Sequence, residues 1–427
     1  MKQQASKHSS LQIYNWLLLI VLFFLTNRRA FVCWYVVSLD YYCEYGSTFL
    51  DYIVWAMAIF VALLLAIRQG KLHEYWLAWK TNWPLALFIL YSIASLGWSI
   101  VVGRSFHTVY LMLMVSLSGG FLAVLYSPKQ LLKALLLFVA VTGLLSVVVV
   151  FLFPEATIHR EAYLLGNWRG VFTHKNYLGS VMALGNGLSL VSIALAPRKK
   201  DLIPKVVVYL LTIYLIVMSR SATGLILWAI LNGLCILFAV WEKWHLKLRK
   251  VNYVYIVGLL AVGLILGAIT VLVVFPLMGK NLSLTGRVPV WRVLLDNVVA
   301  QRPWFGYGLE TLWYFQAFQI GVGKAAGWGI VVVNGHSGYI DILIYLGLVG
   351  LVLLFVILVR GLVQAAKQAL DSSSWLNILP FLIMVYILIV NTTISYFLEF
   401  ESFHWLMLVM VLFLVSVSRP LKTPVTE

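Results

Sequence analysis

Two arginines and a histidine stand out in a chain whose polar residues are few. A polar stretch opens at Thr285-Gly286-Arg287-Val288-Pro289-Val290-Trp291-Arg292 and closes at Asn334-Gly335-His336. Arg220 sits in Met218-Ser219-Arg220-Ser221-Ala222, between two apolar runs with almost no loop. Guanidinium groups hold phosphate and diphosphate through paired N–H donors. A neutral imidazole beside them can accept a proton from an attacking hydroxyl. Arginines plus a histidine therefore suit a transfer whose leaving group gathers negative charge. His336 and Arg220 also have bland readings: a lone histidine can cap or pack, and an arginine can pair with a structural carboxylate.

A second cluster lies in Gly166-Asn167-Trp168-Arg169-Gly170-Val171-Phe172-Thr173-His174-Lys175-Asn176-Tyr177-Leu178-Gly179. Arg169, His174, Lys175 and Asn176 could cap the helix that follows, or hold an anion at its N-terminus. From Thr285 to Gln301 the apolar positions Val288, Trp291, Leu294, Leu295, Val298 and Val299 recur at helical spacing, with Thr285 as cap and Pro303 beyond the end. The pattern predicts an amphipathic helix on the membrane surface with Arg287 in its first turn. A cation there opposes the helix dipole and needs another reason to be present. Arg292 and Arg302 read as a solvated face or headgroup contacts. His336 begins the next span, where the positive helix end favours neutral imidazole.

The elements that must position these groups are membrane spans. Hydrophobic residues make up 62% of the 427 residues, charged ones 11%, and mean hydropathy is +0.95. A water-soluble fold could not hide that apolar surface, and no alternating barrel pattern occurs. The chain reads as an all-α polytopic membrane protein, a single integral domain over 1–427. About twelve runs approach the length needed to cross a bilayer: 11–26, 48–67, 82–102, 105–126, 130–153, 176–196, 204–219, 222–241, 252–275, 336–359, 375–395 and 402–418. The first lacks a small-residue cleavage site and reads as a retained span. With both termini cytoplasmic, the basic clusters Arg198-Lys199-Lys200 and Lys243 to Lys250 fall inside. The 154–175 loop and the large 276–335 loop then face outward. The net charge of +16 follows mostly from this asymmetry, and no soluble domain offers a nucleic-acid groove. Arg28, Arg29 and Arg104 read as interfacial anchors. Cys33 and Cys43 could pair outside; the three cysteines show no metal-ligand spacing.

These pieces resemble the O-antigen ligase and polysaccharide polymerase family of bacterial envelopes. The likeness rests on Arg169 to Gly179, Ser219-Arg220-Ser221, Gly286-Arg287 with Trp291, Pro303-Trp304-Phe305-Gly306-Tyr307-Gly308, and His336-Ser337 followed by Gly347. The resemblance implies a C-type glycosyltransferase fold and an undecaprenyl-diphosphate-linked glycan as donor, at the outer face of the inner membrane. It implies transfer with inversion and without metal or other cofactor. On matching positions, Arg220 and Arg287 would hold the diphosphate and His336 would stand beside the acceptor hydroxyl, with Arg169 and Lys175 in the basic loop. The acceptor would be another lipid-linked repeat, as in a polymerase, or lipid A-core, as in a ligase; a chain-length regulator is an implied partner alongside membrane lipids. The Arg-Gly-Val-Phe-Thr-His-Lys-Asn stretch looks closest to exopolysaccharide polymerases.

The residues themselves agree with arginine in place of metal. Glu155, Glu161, Asp296, Glu310, Glu399 and Glu401 are scattered, without paired-carboxylate spacing. A transporter is the main rival from another class, but no repeat relates residues 1–200 to 201–427.

Overall fold

The structure, a computed structural model, describes residues 49–161, 164–248, 287–329, 331–371, 374–397 and 403–417. The expected spans at 11–26 and 252–275 lie outside these residues, as do Cys33, Cys43, Thr285, Gly286, Glu399 and Glu401.

The chain is all-α across the described residues; β pairing is confined to one isolated bridge, Ile158 to Trp168. The helices are α1 (Phe49–Arg68), α2 (Leu72–Thr81), α3 (Trp83–Ala94), α4 (Val102–Leu125), α5 (Pro128–Leu152), α6 (Lys175–Ala194), α7 (Leu202–Ser219), α8 (Ala222–Leu248), α9 (Arg287–Asn297), α10 (Gln316–Ala325), α11 (Gly338–Asp371), α12 (Leu379–Thr393) and α13 (Phe403–Val417). Among them α4, α5, α6, α7 with the turn before it, α8 and α11 are long and apolar enough to cross a bilayer. The α1–α2 pair, bent by 113°, can be counted as a seventh, broken span. This is a membrane protein.

Several boundaries differ from the sequence reading. The stretch 68–81, expected as a connecting segment, holds α2. The expected span 82–102 is only the short α3 followed by a 3-10 turn, Ser95–Trp98. α11 starts at Gly338, two residues beyond His336, and continues to Asp371. Hydropathy marks where a helix is apolar, not where its hydrogen bonds begin and end, so caps and breaks escape it.

Two helices form the centre. α6 packs on α5, α7, α8 and α12; α13 packs on α2, α4, α11 and α12. α6 reads small-xxx-small along its length, and a Cβ on Gly179 or Gly185 would press into Ser221 or Val139. Without a hydrophobic force between helices in lipid, such close approach and buried polar contacts hold them together. Here Asn186 Nδ2 donates to Thr212 Oγ1 (2.9 Å), and Asn232 Nδ2 donates to Asn186 Oδ1 (2.8 Å), linking α6, α7 and α8. Large apolar side chains such as Phe60, Leu144, Leu210 and Val359 stay exposed on the outside, as a lipid-facing belt requires.

α11 is broken at Gly347 (φ 65°, ψ −165°). A continuous helix would bond the amides of Leu348 and Val349 to the carbonyls of Ile344 and Tyr345. Instead the segment Pro303–Gly308 inserts. Leu348 N donates to Pro303 O (2.8 Å) and Val349 N to Trp304 O (3.3 Å). Tyr307 N and Gly308 N donate to the freed carbonyls of Ile344 (3.0 Å) and Tyr345 (2.9 Å). Tyr91 Oη donates to Leu346 O (2.9 Å). Backbone leaves a helix at membrane depth only where protein re-satisfies it, and the inserted segment does so. Gly347 and Gly306 make the approach feasible: a Cβ on Gly347 would lie 2.3 Å from Trp304 C, and one on Gly306 2.6 Å from Ile344 O.

Candidate active site

The 154–175 segment folds back on the end of α5. After a single turn at Pro154–Thr157, Arg169 N and Gly170 N donate to Thr157 O, and Trp168 N donates to Met218 O at the end of α7. Val171 N donates to Ser146 Oγ (3.2 Å), which seats Val171 and Phe172 in the core. His174 then caps α6, its Nδ1 accepting from Asn176 N (3.1 Å). The Nδ1 of His174 is thus an acceptor, and the proton of the neutral ring sits on Nε2.

His159 stands behind this cap. Its Nε2 accepts from Lys175 N (3.2 Å), so Nδ1 carries the proton and donates to Glu161 Oε2 (3.0 Å). The His159 and His174 rings meet edge to face at 5.0 Å. Burial lowers the pKa of His159 despite the opposing pull of Glu161.

Next to this cap the chain turns at Arg220, in the left-handed region (φ 48°) at the end of α7. Lys175 Nζ donates to Arg220 O (3.3 Å), and Ser221 Oγ donates to Asn176 Oδ1 (3.0 Å). Lys175 itself is buried, whereas Arg220 is exposed.

α9 packs against α10 and reaches the backbone beside His336, Trp291 Nε1 donating to Gly335 O (2.8 Å). The helix expected over 285–301 is seen as Arg287–Asn297 followed by a 3-10 turn, Val299–Gln301. Its buried face runs Arg287, Val290, Leu294, while Val288 and Leu295 of the expected apolar face are exposed. Arg287 shares the side of Trp291, Leu294 and Val298, with Val290 beside it, and that side turns inward. Arg287 consequently lies inside, 9% exposed, and Arg292 points out with the exposed face. Burial pushes the Arg287 guanidinium down to about 10, still charged at neutral pH. Among the described residues no carboxylate lies at ion-pair distance from it; the pairs formed are Lys71–Glu74, Arg104–Glu310, His159–Glu161, Arg160–Glu155 and Arg198–Asp201.

His336 also adopts the left-handed region (φ 49°), its amide donating to Asn334 Oδ1 (2.9 Å). The Trp328 ring lies 5.2 Å from its own. Burial and then Arg287 lower the imidazole to about 4. His174 is held lower, at about 3, by burial first and then by His159, Lys175, His336 and Arg287. Arg287, His336 and His174, from three distant segments, thus act on one another electrostatically, and the bond from Trp291 Nε1 to Gly335 O (2.8 Å) ties α9 to the backbone beside His336. The expectation of a neutral His336 agrees with this, but the physical cause is desolvation and a neighbouring cation, since His336 precedes the helix.

Of the remaining expected residues, Asn176 and Lys175 frame the cap of α6 through the contacts above. Arg169 ties its own loop, Nε donating to Ala156 O (3.0 Å) and Nη1 to Thr173 O (3.4 Å). Arg104 is no interfacial anchor: it pairs with Glu310 at 3.2 Å, both side chains 11% exposed, and Thr108 Oγ1 donates to the same carboxylate. Asp341 was overlooked. It is a carboxylate inside an apolar span, which alone should have flagged it. His159 carried no signal, since its partners are set by the folding-back of its loop. No group of three or more His, Cys, Asp or Glu able to hold a metal forms among the described residues.

Arg220, Arg287, His336 and Gly347 all fall within residues 207–355, which match the family model described as O-Antigen ligase. The family matched is the O-antigen ligases. The match begins at residue 207, beyond Arg169 to Asn176. Over 215 residues the chain is also 26% identical to the exopolysaccharide production protein ExoQ of Rhizobium meliloti (strain 1021). That alignment spans 48% of this chain and 48% of the relative, so the chain spans about half the length of the curated protein it matches. The matched stretch contains the buried arginine and the neutral histidine, while the cap of α6 comes from outside it.

Proposed function

We propose that the chain is a membrane glycosyltransferase of the O-antigen ligase and polymerase type, working at the outer face of the bacterial inner membrane. Its donor is a glycan on undecaprenyl diphosphate, and its acceptor is the hydroxyl of another lipid-linked repeat. The observation that carries this reading is Arg287, a buried cation beside two neutral imidazoles and without a carboxylate partner among the described residues. Burying an unpaired charge is costly, so such a site gains most from an anionic ligand.

In this reading Arg287, with Arg220 and Lys175 near the mouth, binds the diphosphate. The acceptor oxygen attacks the anomeric carbon from the opposite face, the bond from that carbon to the diphosphate oxygen breaks, and the configuration inverts. The hydroxyl proton passes to a ring nitrogen of His336. The electron pair leaves with undecaprenyl diphosphate, whose charge the fixed guanidinium groups stabilise without reorganising. Donor binding also tunes the base. The phosphate charge offsets Arg287, so the pKa of His336 rises from about 4 toward the range where a base works best at neutral pH.

The basic clusters after α6 and along α8 support cytoplasmic placement of the opposite end. The likeness to a protein named for exopolysaccharide production supports polymerisation. The family description supports the second reading, a ligase acting on lipid A-core.

The test is transfer of a labelled glycan from purified lipid-linked donor by the full chain in detergent. His336→Ala and Arg287→Ala are expected to abolish transfer, and EDTA to leave it unchanged. Wild-type rates in both variants would defeat the assignment. Supplying either a second lipid-linked repeat or lipid A-core decides the acceptor.

A further inference from the structure

The glycine that precedes His336 is held from both sides. Gly335 N donates to Asp341 Oδ1 (2.9 Å), and Gly335 O accepts from Trp291 Nε1 (2.8 Å). The same Oδ1 accepts from Trp313 Nε1 (3.0 Å), which fixes the carboxylate in turn. Asp341 belongs to the first turn of α11, Trp313 to the 3-10 turn Leu312–Tyr314, and Trp291 to α9. Three elements thus converge on one glycine, two directly and Trp313 through the carboxylate. The approach is so close that a Cβ on Gly335 would lie 2.8 Å from the carboxylate oxygen.

Trp291 lies four residues after Arg287 on α9, one helical turn along the same side. The bond from its indole to Gly335 therefore fixes α9, and Arg287 with it, against the backbone that carries His336. A left-handed non-glycine residue is unfavourable by itself and persists only where its surroundings over-determine it. Both peptide groups of Gly335 and the amide of His336 are bonded, which supplies that constraint.

We infer that Trp291 and Asp341 are positioning residues that pin Gly335 and hold His336 in register with Arg287. The inference rests on the reading of His336 as the proton acceptor. Neither residue touches the reacting atoms; each acts through the backbone.

Trp291→Phe keeps an aromatic ring, though a smaller one, and removes the N–H donor. Asp341→Asn keeps an acceptor oxygen, and Asp341→Ala removes it. In the transfer assay, Trp291→Phe and Asp341→Ala are expected to lower kcat roughly 10- to 100-fold, with KM for the donor nearly unchanged, as for a small misplacement of a catalytic group. Asp341→Asn should restore most of the rate. A second readout is independent of turnover: the titration of His336 by NMR of histidine-labelled protein. Arg287 from α9 acts on His336, His336 in turn acts on His174 at the cap of α6, and Asp341 stands in the first turn of the helix that follows. Release of the peptide in Trp291→Phe should let the ring move toward solvent and raise its pKa.

Wild-type kcat and titration in Trp291→Phe would overturn the inference, as would a change confined to KM. If Asp341→Ala does not fold, Trp291→Phe decides alone. Undiminished transfer by His336→Ala would instead defeat the catalytic reading, whereas the titration of Trp291→Phe would still report on the clamp.

Discussion

Replacing Arg287 with methionine should make the ligand-free protein more stable while removing its response to donor. Burial lowers the guanidinium from its ordinary pKa to about 10. At about 1.4 kcal/mol for each pKa unit, that drop corresponds to about 3 kcal/mol. The sign follows from the direction. A base whose folded pKa is depressed is harder to keep protonated in the native state than in the unfolded chain. The cost is therefore present in full at every pH below about 10 and fades only as pH rises toward the unfolded value. Methionine fills a similar volume without charge, and replacing a buried ion by an apolar residue of like size often stabilises. Thermal unfolding in detergent, followed by tryptophan fluorescence, should show a Tm roughly 5 °C above wild type for Arg287→Met. Adding undecaprenyl diphosphate should raise the Tm of wild type and leave Arg287→Met where it was, since ligand binding stabilises only the form that binds it. Arg220→Met is the control: its side chain is exposed, so the ligand-free Tm should hardly move. A ligand-free Arg287→Met less stable than wild type, or one that still responds fully to the lipid, would refute the view of Arg287 as an anion-seeking buried cation.

Three further outcomes follow from the geometry. Burial holds His336 at about 4 and His174 at about 3, so the unfolded chain takes up protons first as pH falls below the ordinary histidine range. Stability should then decline from about pH 6.5 down to about pH 4, and His336→Gln should flatten part of that decline in a Tm-against-pH series. Gly347→Ala would put a Cβ 2.3 Å from Trp304 C in a backbone conformation that only glycine tolerates. A loss of about 3 kcal/mol or more is expected by chemical denaturation, whereas Gly103→Ala, with nothing within 4 Å, should lose little. Arg104→Met removes the cation paired with Glu310 and should cost about 3 kcal/mol by the same measurement, with part recovered in the double variant Arg104→Met/Glu310→Gln.

The sequence by itself determined what the bilayer dictates locally. A helix satisfies its own backbone bonds in lipid, so apolar length revealed membrane helices such as α4, α5 and α8 without reference to the rest of the chain. Residue chemistry likewise pointed to arginine and histidine at Arg220, Arg287 and His336, and the family resemblance to Gly306 and Gly347. The face of α9 was partly legible too: Arg287, Trp291, Leu294 and Val298 share one side at helical spacing, whereas Val288 and Leu295, also apolar, turn outward.

Tertiary structure decided the rest, because desolvation and long-range bonds depend on atoms many residues apart. Arg104 became a buried ion pair only through Glu310. The broken α11 is stable only because Pro303–Gly308 takes over its bonding groups. His336 is neutral because other segments bury it beside Arg287, not because a helix begins there. The same peptide that carries His336 is gripped by an indole from α9 and a carboxylate from α11. No local pattern encodes that meeting, since each partner alone is an ordinary residue of an amphipathic or apolar helix, and only folding brings their single hydrogen bonds to one glycine.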